Sequence, residues 1–278
     1  MSNVAIVTDS TAYISKELLE RLNVEVVPLY VNFPDEVIVD GSIDNVTFFE
    51  KMKNSSQMPF TSQPSPGDFV SVYERLLQEG KEIVSIHISS GISGTVESAQ
   101  SAARILDENK ISIVDSQSTA AGLAMLVLEA AASAEKGEIR EAIVRLTEEL
   151  KKTQQVLFIP DTLEYLKKGG RIGGAQALLG TMLQIKPILH FSQGKIEVFD
   201  KVRTMKKAME RMVAELPASA EGLQIALMEA EAETNAHKLE KMVQEKMPGV
   251  QVHKYELSPV ITTHAGPGVV GLAFIQKD

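Results

Sequence analysis

The sequence predicts an α/β protein in two domains: an N-terminal parallel sheet flanked by helices, then a mixed α/β unit. Two observations predict it. First, apolar runs closing on small polar residues alternate with helix-period segments. Residues 4–7 close on Thr8-Asp9-Ser10, 83–88 on Ser89-Ser90, and 111–114 on Asp115-Ser116. Strands alternating with helices form parallel sheets, whose ligands lie outside the carboxyl ends of the strands. Second, the rhythm changes at Thr153, where two consecutive helical patterns end and a new apolar run begins. The domains are therefore drawn as 1–153 and 154–278.

In chain order, 4–7 is the first strand, and Ser15 caps a short helix to residue 22 with Leu18, Leu19 and Leu22 on one face. Residues 24–31 read as a second buried strand. Residues 32–65 break the pattern with Pro34-Asp35, Asp40-Gly41 and a short helix at 47–53, and are expected as an excursion on the sheet's edge. Pro59, Pro64 and Pro66 predict an irregular, stiff loop over 59–67. A helix follows at 68–79, then the strand 83–88, a helix at 96–106, the strand 111–116, and helices at 120–136 and 138–153. The second unit starts with the strand 155–159. Pro160-Asp161-Thr162 caps a helix ending at Gly169-Gly170, and Arg171-Ile172-Gly173-Gly174 is a Gly-rich turn. Runs 185–191 and 194–199 form a hairpin about Ser192-Gln193-Gly194-Lys195. A helix at 204–216 precedes a β-α-β unit (223–228, 234–246, 250–257). His264-Ala265-Gly266-Pro267-Gly268 reads as a loop before a last strand, 269–275.

With 278 residues and 44% hydrophobic content the chain can bury a large core. It has no cysteine, which excludes disulfides, thiolate metal sites and cysteine nucleophiles. That usage fits the cytoplasm, and no signal peptide or membrane span is read. A net charge of −9 argues against nucleic acid as a partner. Yet residues 164–211 hold ten Lys/Arg and four acids. That basic excess predicts a docking face for an acidic partner, with Arg171 and Arg203 exposed near the mouth of the site. A solvated surface has the same composition. No Walker or G-x-G-x-x-G pattern occurs, and the five histidines lack metal-ligand spacing, so neither cofactor nor metal is expected. His87 reads as a core histidine. His264, beside Ala-Gly-Pro-Gly, is placed near a ligand. Eleven methionines suit a plastic core and an apolar tunnel equally.

The chemistry centres on Ser89-Ser90-Gly91-Ile92-Ser93-Gly94-Thr95, between a strand and a helix. Unpaired amides at a helix start favour an anion. Four hydroxyls supplement them and no Lys or Arg lies in the stretch, so it reads as a cradle with neutral donors. A plain N-cap with turn glycines is the simpler reading. Ser10, Ser90 and Ser116 at the strand ends, with Ser62 and Thr95, are candidates for a supporting ring. Ser93 with His264 and Asp115 spells a triad on paper, but Thr95 stands where a nucleophile elbow needs glycine.

Six ordered motifs complete the picture: Thr8-Asp9-Ser10, Thr61-Ser62-Gln63-Pro64-Ser65-Pro66, the 88–95 cradle, Val114-Asp115-Ser116, Leu166-Lys167-Lys168-Gly169-Gly170-Arg171-Ile172, and His264-Ala265-Gly266-Pro267-Gly268. Together they resemble the motif set of the DegV family over nearly the whole chain. The resemblance implies a bacterial fatty-acid-binding protein whose acyl chain lies in a tunnel between layers. It implies no chemistry by the protein itself, and a carboxylate held at Thr61 and Ser93 with the Gly94 amide nearby. Some members are the lipid-presenting subunit of a fatty acid kinase. The implied partners are a long-chain fatty acid and such a kinase, with peripheral membrane contact for lipid exchange. A grip without a salt bridge suits release of the carboxylate as an acyl phosphate, which a buried arginine would oppose. Competing classes are a serine-dependent acyl hydrolase using Ser93 and a regulatory module without lipid.

Overall fold

Two sheets share one layer of helices. The computed structural model describes residues 3–181 and 184–277. Strand β1 (Val4–Asp9), buried throughout, is followed by α1 (Lys16–Leu22), whose N-cap Ser15 accepts from the Leu18 amide. The predicted strand 24–31 is two strands, β2 (Val24–Val27) and β3 (Tyr30–Asn32), in different sheets. Pro28 between them has no N–H to continue a ladder.

The 32–65 segment is likewise more than an edge excursion. It supplies β4 (Val37–Val39), α2 (Asn45–Asn54) and β5 (Phe60–Ser62), and β3 pairs antiparallel with both strands in a separate three-stranded sheet. The run expected to be irregular thus holds a strand. Pro59 and Pro64 lie just outside β5, which is an edge strand and tolerates flanking prolines. Helix α3 (Pro66–Gln78) starts at Pro66 with a Ser65–Asp68 capping box.

Next come β6 (Glu82–His87), α4 (Thr95–Ile105), β7 (Ile111–Asp115), α5 (Ala120–Glu135) and α6 (Arg140–Thr153). The first sheet is all parallel in the order β2-β1-β6-β7, so β1 and β6 flank the point where connections leave in opposite directions. The second half contributes β8 (Gln155–Ile159), α7 (Glu164–Lys168), a 3₁₀ segment (Gly173–Thr181), β9 (Lys186–Ser192), β10 (Lys195–Val202), α8 (Met205–Ala214), β11 (Leu223–Ala230), α9 (Glu233–Lys246), β12 (Val252–Glu256), α10 (Pro259–Ala265) and β13 (Val269–Gln276). Its sheet runs β10-β9-β8-β13-β11-β12, with only β11 and β12 parallel, joined by α9.

Helices α3 and α4 cover one face of the parallel sheet, and α8 and α9 cover the outer face of the mixed sheet. Helices α5 and α6 lie between the two sheets. Helix α5 packs on β1 and β6 from one sheet and on β8, β11 and β13 from the other. Its sequence is apolar on nearly every side, Glu129 being the exception near its middle, as a helix buried almost all round requires. The largest core cluster accordingly joins Ile6, Val84 and Leu126 to Val156, Met228 and Ala273. The sheets thus separate at Thr153, but α5, from before that point, is core to both.

Candidate functional site

Strand β6 delivers the Ser89–Thr95 loop to the carboxyl edge of the parallel sheet. A buried chain of bonds fixes its end. Asp9 accepts from the Ile88 amide at 2.8 Å and lies 3.1 Å from His87 Nδ1, while His87 Nε2 pairs with Ser85, which takes the Tyr73 hydroxyl. His87 is the core histidine the sequence predicts. Ser89 donates to the Gly194 carbonyl at 2.6 Å, pinning the loop to the β9–β10 turn. The contact needs glycine: a Cβ on Gly91 would lie 2.4 Å from the Gly194 oxygen.

Ser93 stands at the loop's end, its hydroxyl 2.8 Å from that of Thr95. Gly94 is the N-cap of α4, where a Cβ would meet the end of the Gln63 side chain at 2.6 Å. Thr61, on β5, bonds His264 Nε2 at 2.7 Å. His264 lies in the last turn of α10 rather than in a loop, since Ser258-Pro259 starts a helix that ends at Gly266. Its Nδ1 is buried without a hydrogen-bond partner among the described residues and faces Gly169, where a Cβ would sit 2.1 Å away. Burial first, then the Arg171 charge, lowers the His264 pKa to about 4. The ring is therefore neutral at pH 7.

Thr61, Ser93 and His264 share one cavity, with a wall from β8–β11, β13, α10 and the N-terminus of α5. Five polar side chains line it, Thr61, Ser93, Thr119, Arg171 and His264, and the rest is apolar. Four of the five polar residues, all but the buried Thr119, lie in its more open part. Thr61, Ser93 and Arg171 are half-buried, whereas Val156, Met228 and Val269 are buried.

Two expectations need correction. Arg171 is half-buried rather than exposed. Its Nε donates to the Ile92 carbonyl at 3.0 Å and a terminal nitrogen donates to the Gly169 carbonyl at 2.6 Å, which draws the guanidinium into the cavity wall. The polar end thus includes a cation, contrary to the reading of neutral donors alone. Arg203 is exposed but lies beyond the far end of β10 from the Gly194 turn, ~25 Å along an eight-residue strand. It is not at the cavity's polar end, and the two arginines do not make one face.

The expected supporting ring divides. Thr95 touches Ser93, but Ser10 bonds Asp40, Ser62 accepts from Asn32, Ser90 bonds Asp115 and Ser116 donates to the Ser118 carbonyl. None of these four lines the cavity. The paper triad is not assembled either, since His264 is tied to Thr61 and Asp115 to Ser90 and Gln117. Among the described residues no cluster could hold a metal ion, and no helix is long and apolar enough to cross a membrane. Thr119 was not legible in the sequence, where it is one hydroxyl before an Ala-rich helix.

The family described as "Uncharacterised protein, DegV family" matches residues 3–277. The chain belongs to the DegV family. Protein DegV of Bacillus subtilis is 38% identical, with 99% of this chain and 100% of that protein covered. A solved DegV family structure from Thermus thermophilus, described by its fatty acid binding, superposes with a TM-score of 0.94 at 37% identity over 100% of both chains. The crystal structure of DegV from Bacillus subtilis, described as a fatty acid binding protein, gives 0.88 at 36% identity, again over the whole of both chains. DegV family architecture therefore spans the described chain, parallel sheet and mixed sheet alike.

Proposed function

We propose that this DegV family protein binds a long-chain fatty acid, with the carboxylate at Thr61, Ser93, the Gly94 amide and His264 and the tail along the apolar wall. The observation that carries this reading is a cavity whose lining is mostly apolar, with Thr61, Ser93, Arg171 and His264 together in its half-buried part and Thr119 alone among the buried residues. At ~0.8 kcal/mol per buried CH₂, a tail of roughly fifteen carbons contributes ~12 kcal/mol gross, from which association and ordering costs are subtracted. Arg171 adds positive potential, while two of its donors stay committed to backbone carbonyls. A carboxylate there is held without a full bidentate pair. The fatty acid binding of the similar proteins supports the same reading.

Presentation to a partner kinase is the finer proposal. The carboxylate end lies among half-buried residues while the tail lies among buried ones, so a second protein reaches the reactive oxygen and not the chain. Solvent extraction of the purified protein with mass spectrometry, then titration of stripped protein with hexadecanoic acid, tests the binding. A stoichiometric acid is expected; an empty extract and no saturable binding would sink the proposal.

A further inference from the structure

Of the polar groups on the cavity wall, Thr61, Ser93, Arg171 and His264 each bond another part of the protein. Thr119 Oγ1 bonds nothing among the described residues, although the residue is only 6% exposed. Buried hydroxyls without a partner are few in folded proteins, and each calls for an explanation. The position sharpens the point. Thr119 is the N-cap of α5, where a threonine hydroxyl ordinarily accepts an amide of the first turn. That bond is not made. The next residue, Ala120, has φ of 50°, a left-handed conformation disfavoured for a residue with a Cβ. Residues 119 and 120 both line the cavity. The chain thus forgoes a cap and adopts a costly backbone where a hydroxyl borders the cavity.

We propose that Thr119 is a specificity residue for fatty acids carrying a hydroxyl or keto oxygen along the chain. This rests on the reading of the cavity as a fatty-acid site. The nearby wall residues Ile88, Ala120 and Val156 are apolar, so a chain oxygen facing them loses its water without replacement. Facing Thr119, it gains a partner, and because a threonine hydroxyl both donates and accepts, either oxygen type fits. A buried hydrogen-bonding group discriminates against an analogue lacking its partner more sharply than an apolar wall discriminates size.

Stripped wild-type protein, Thr119→Val and Thr119→Ser are titrated with hexadecanoic acid and its positional hydroxy isomers. Wild type should bind one mid-chain isomer at least as tightly as hexadecanoic acid. Thr119→Val, which replaces the hydroxyl with a methyl of similar size, should bind hexadecanoic acid more tightly and shift the preference for that isomer downward at least tenfold. Thr119→Ser should restore it. The proposal is overturned if Thr119→Val leaves the isomer ratios flat, or if it weakens every acid by one factor, which assigns Thr119 to the carboxylate. If wild type binds hexadecanoic acid and the ratios stay flat, only this proposal falls. If it binds no acid at all, the parent reading falls with it.

Discussion

His264 illustrates how one side chain reports its surroundings. Its folded pKa of about 4 lies below the ordinary 6.5 because burial disfavours the charged ring and Arg171 repels it. Between those values the unfolded chain binds a proton that the folded chain refuses, so stability falls as pH drops from 6.5 toward 4. The full effect is about 3 kcal/mol. Urea titrations at pH 7 and pH 4.5 should show a larger loss on acidification for wild type than for His264→Gln; equal losses would remove His264 as the cause. Ser93→Ala removes one hydroxyl from a charged acceptor, an expected cost of ~1.5–3 kcal/mol in fatty-acid affinity with the fold intact. Unchanged affinity in a folded variant would take Ser93 out of the site. That Thr61, Ser93 and His264 would come together on one cavity was legible because local motifs carry them. Arg171 was misplaced because its position depends on the Ile92 carbonyl, 79 residues away in sequence. Thr119 gave no signal, since what marks it is a missing bond.

At the scale of elements, α10 is a short helix placed by contacts from far along the chain. Asp40, in the 32–65 segment, accepts from Ser10, from Ser258 and from the Val260 amide at the start of α10. The Thr61–His264 bond holds the other end. Burial raises the Asp40 pKa, its hydrogen bonds working against that rise. Asp40→Ala leaves the buried Val260 amide and the half-buried Ser10 and Ser258 hydroxyls without their acceptor and should destabilise the protein by about 3–5 kcal/mol. It should also weaken fatty-acid binding, because Val260, Ile261 and His264 all line the cavity. Hydrogen exchange at the α10 amides and a parallel fatty-acid titration check this; native protection in α10 would show that Asp40 does not hold it. The Gly91–Gly194 contact makes a second test. Gly91→Ala places a methyl against a backbone oxygen, and such overpacking costs ~1–3 kcal/mol. Thermal unfolding reads the loss, and an unshifted midpoint would mean that the loop and hairpin separate freely. Element order was legible from the alternation of apolar runs and helix-period segments. The split at Pro28 and the third sheet were not, because a three-residue strand carries too few side chains to show a period of two.

For the whole molecule, the boundary at Thr153 suggests two independent bodies, and α5 opposes that. A fragment of residues 154–278 would expose the faces of β8, β11 and β13 that α5 covers. Expressed alone, it should lack a cooperative unfolding transition, whereas the full chain should unfold in one step by circular dichroism. A fragment with its own sharp midpoint would overturn this. The same helix matters during synthesis. Helix α5 is complete at Glu135, and its last covering strand, β13, begins only at Val269. At ~5–20 residues per second, that interval is on the order of ten seconds. Throughout it, a sixteen-residue helix with almost no polar face waits beside a half-built core. The nascent chain is therefore most exposed to aggregation, and to capture by holding chaperones, in the window before its final strand leaves the ribosome.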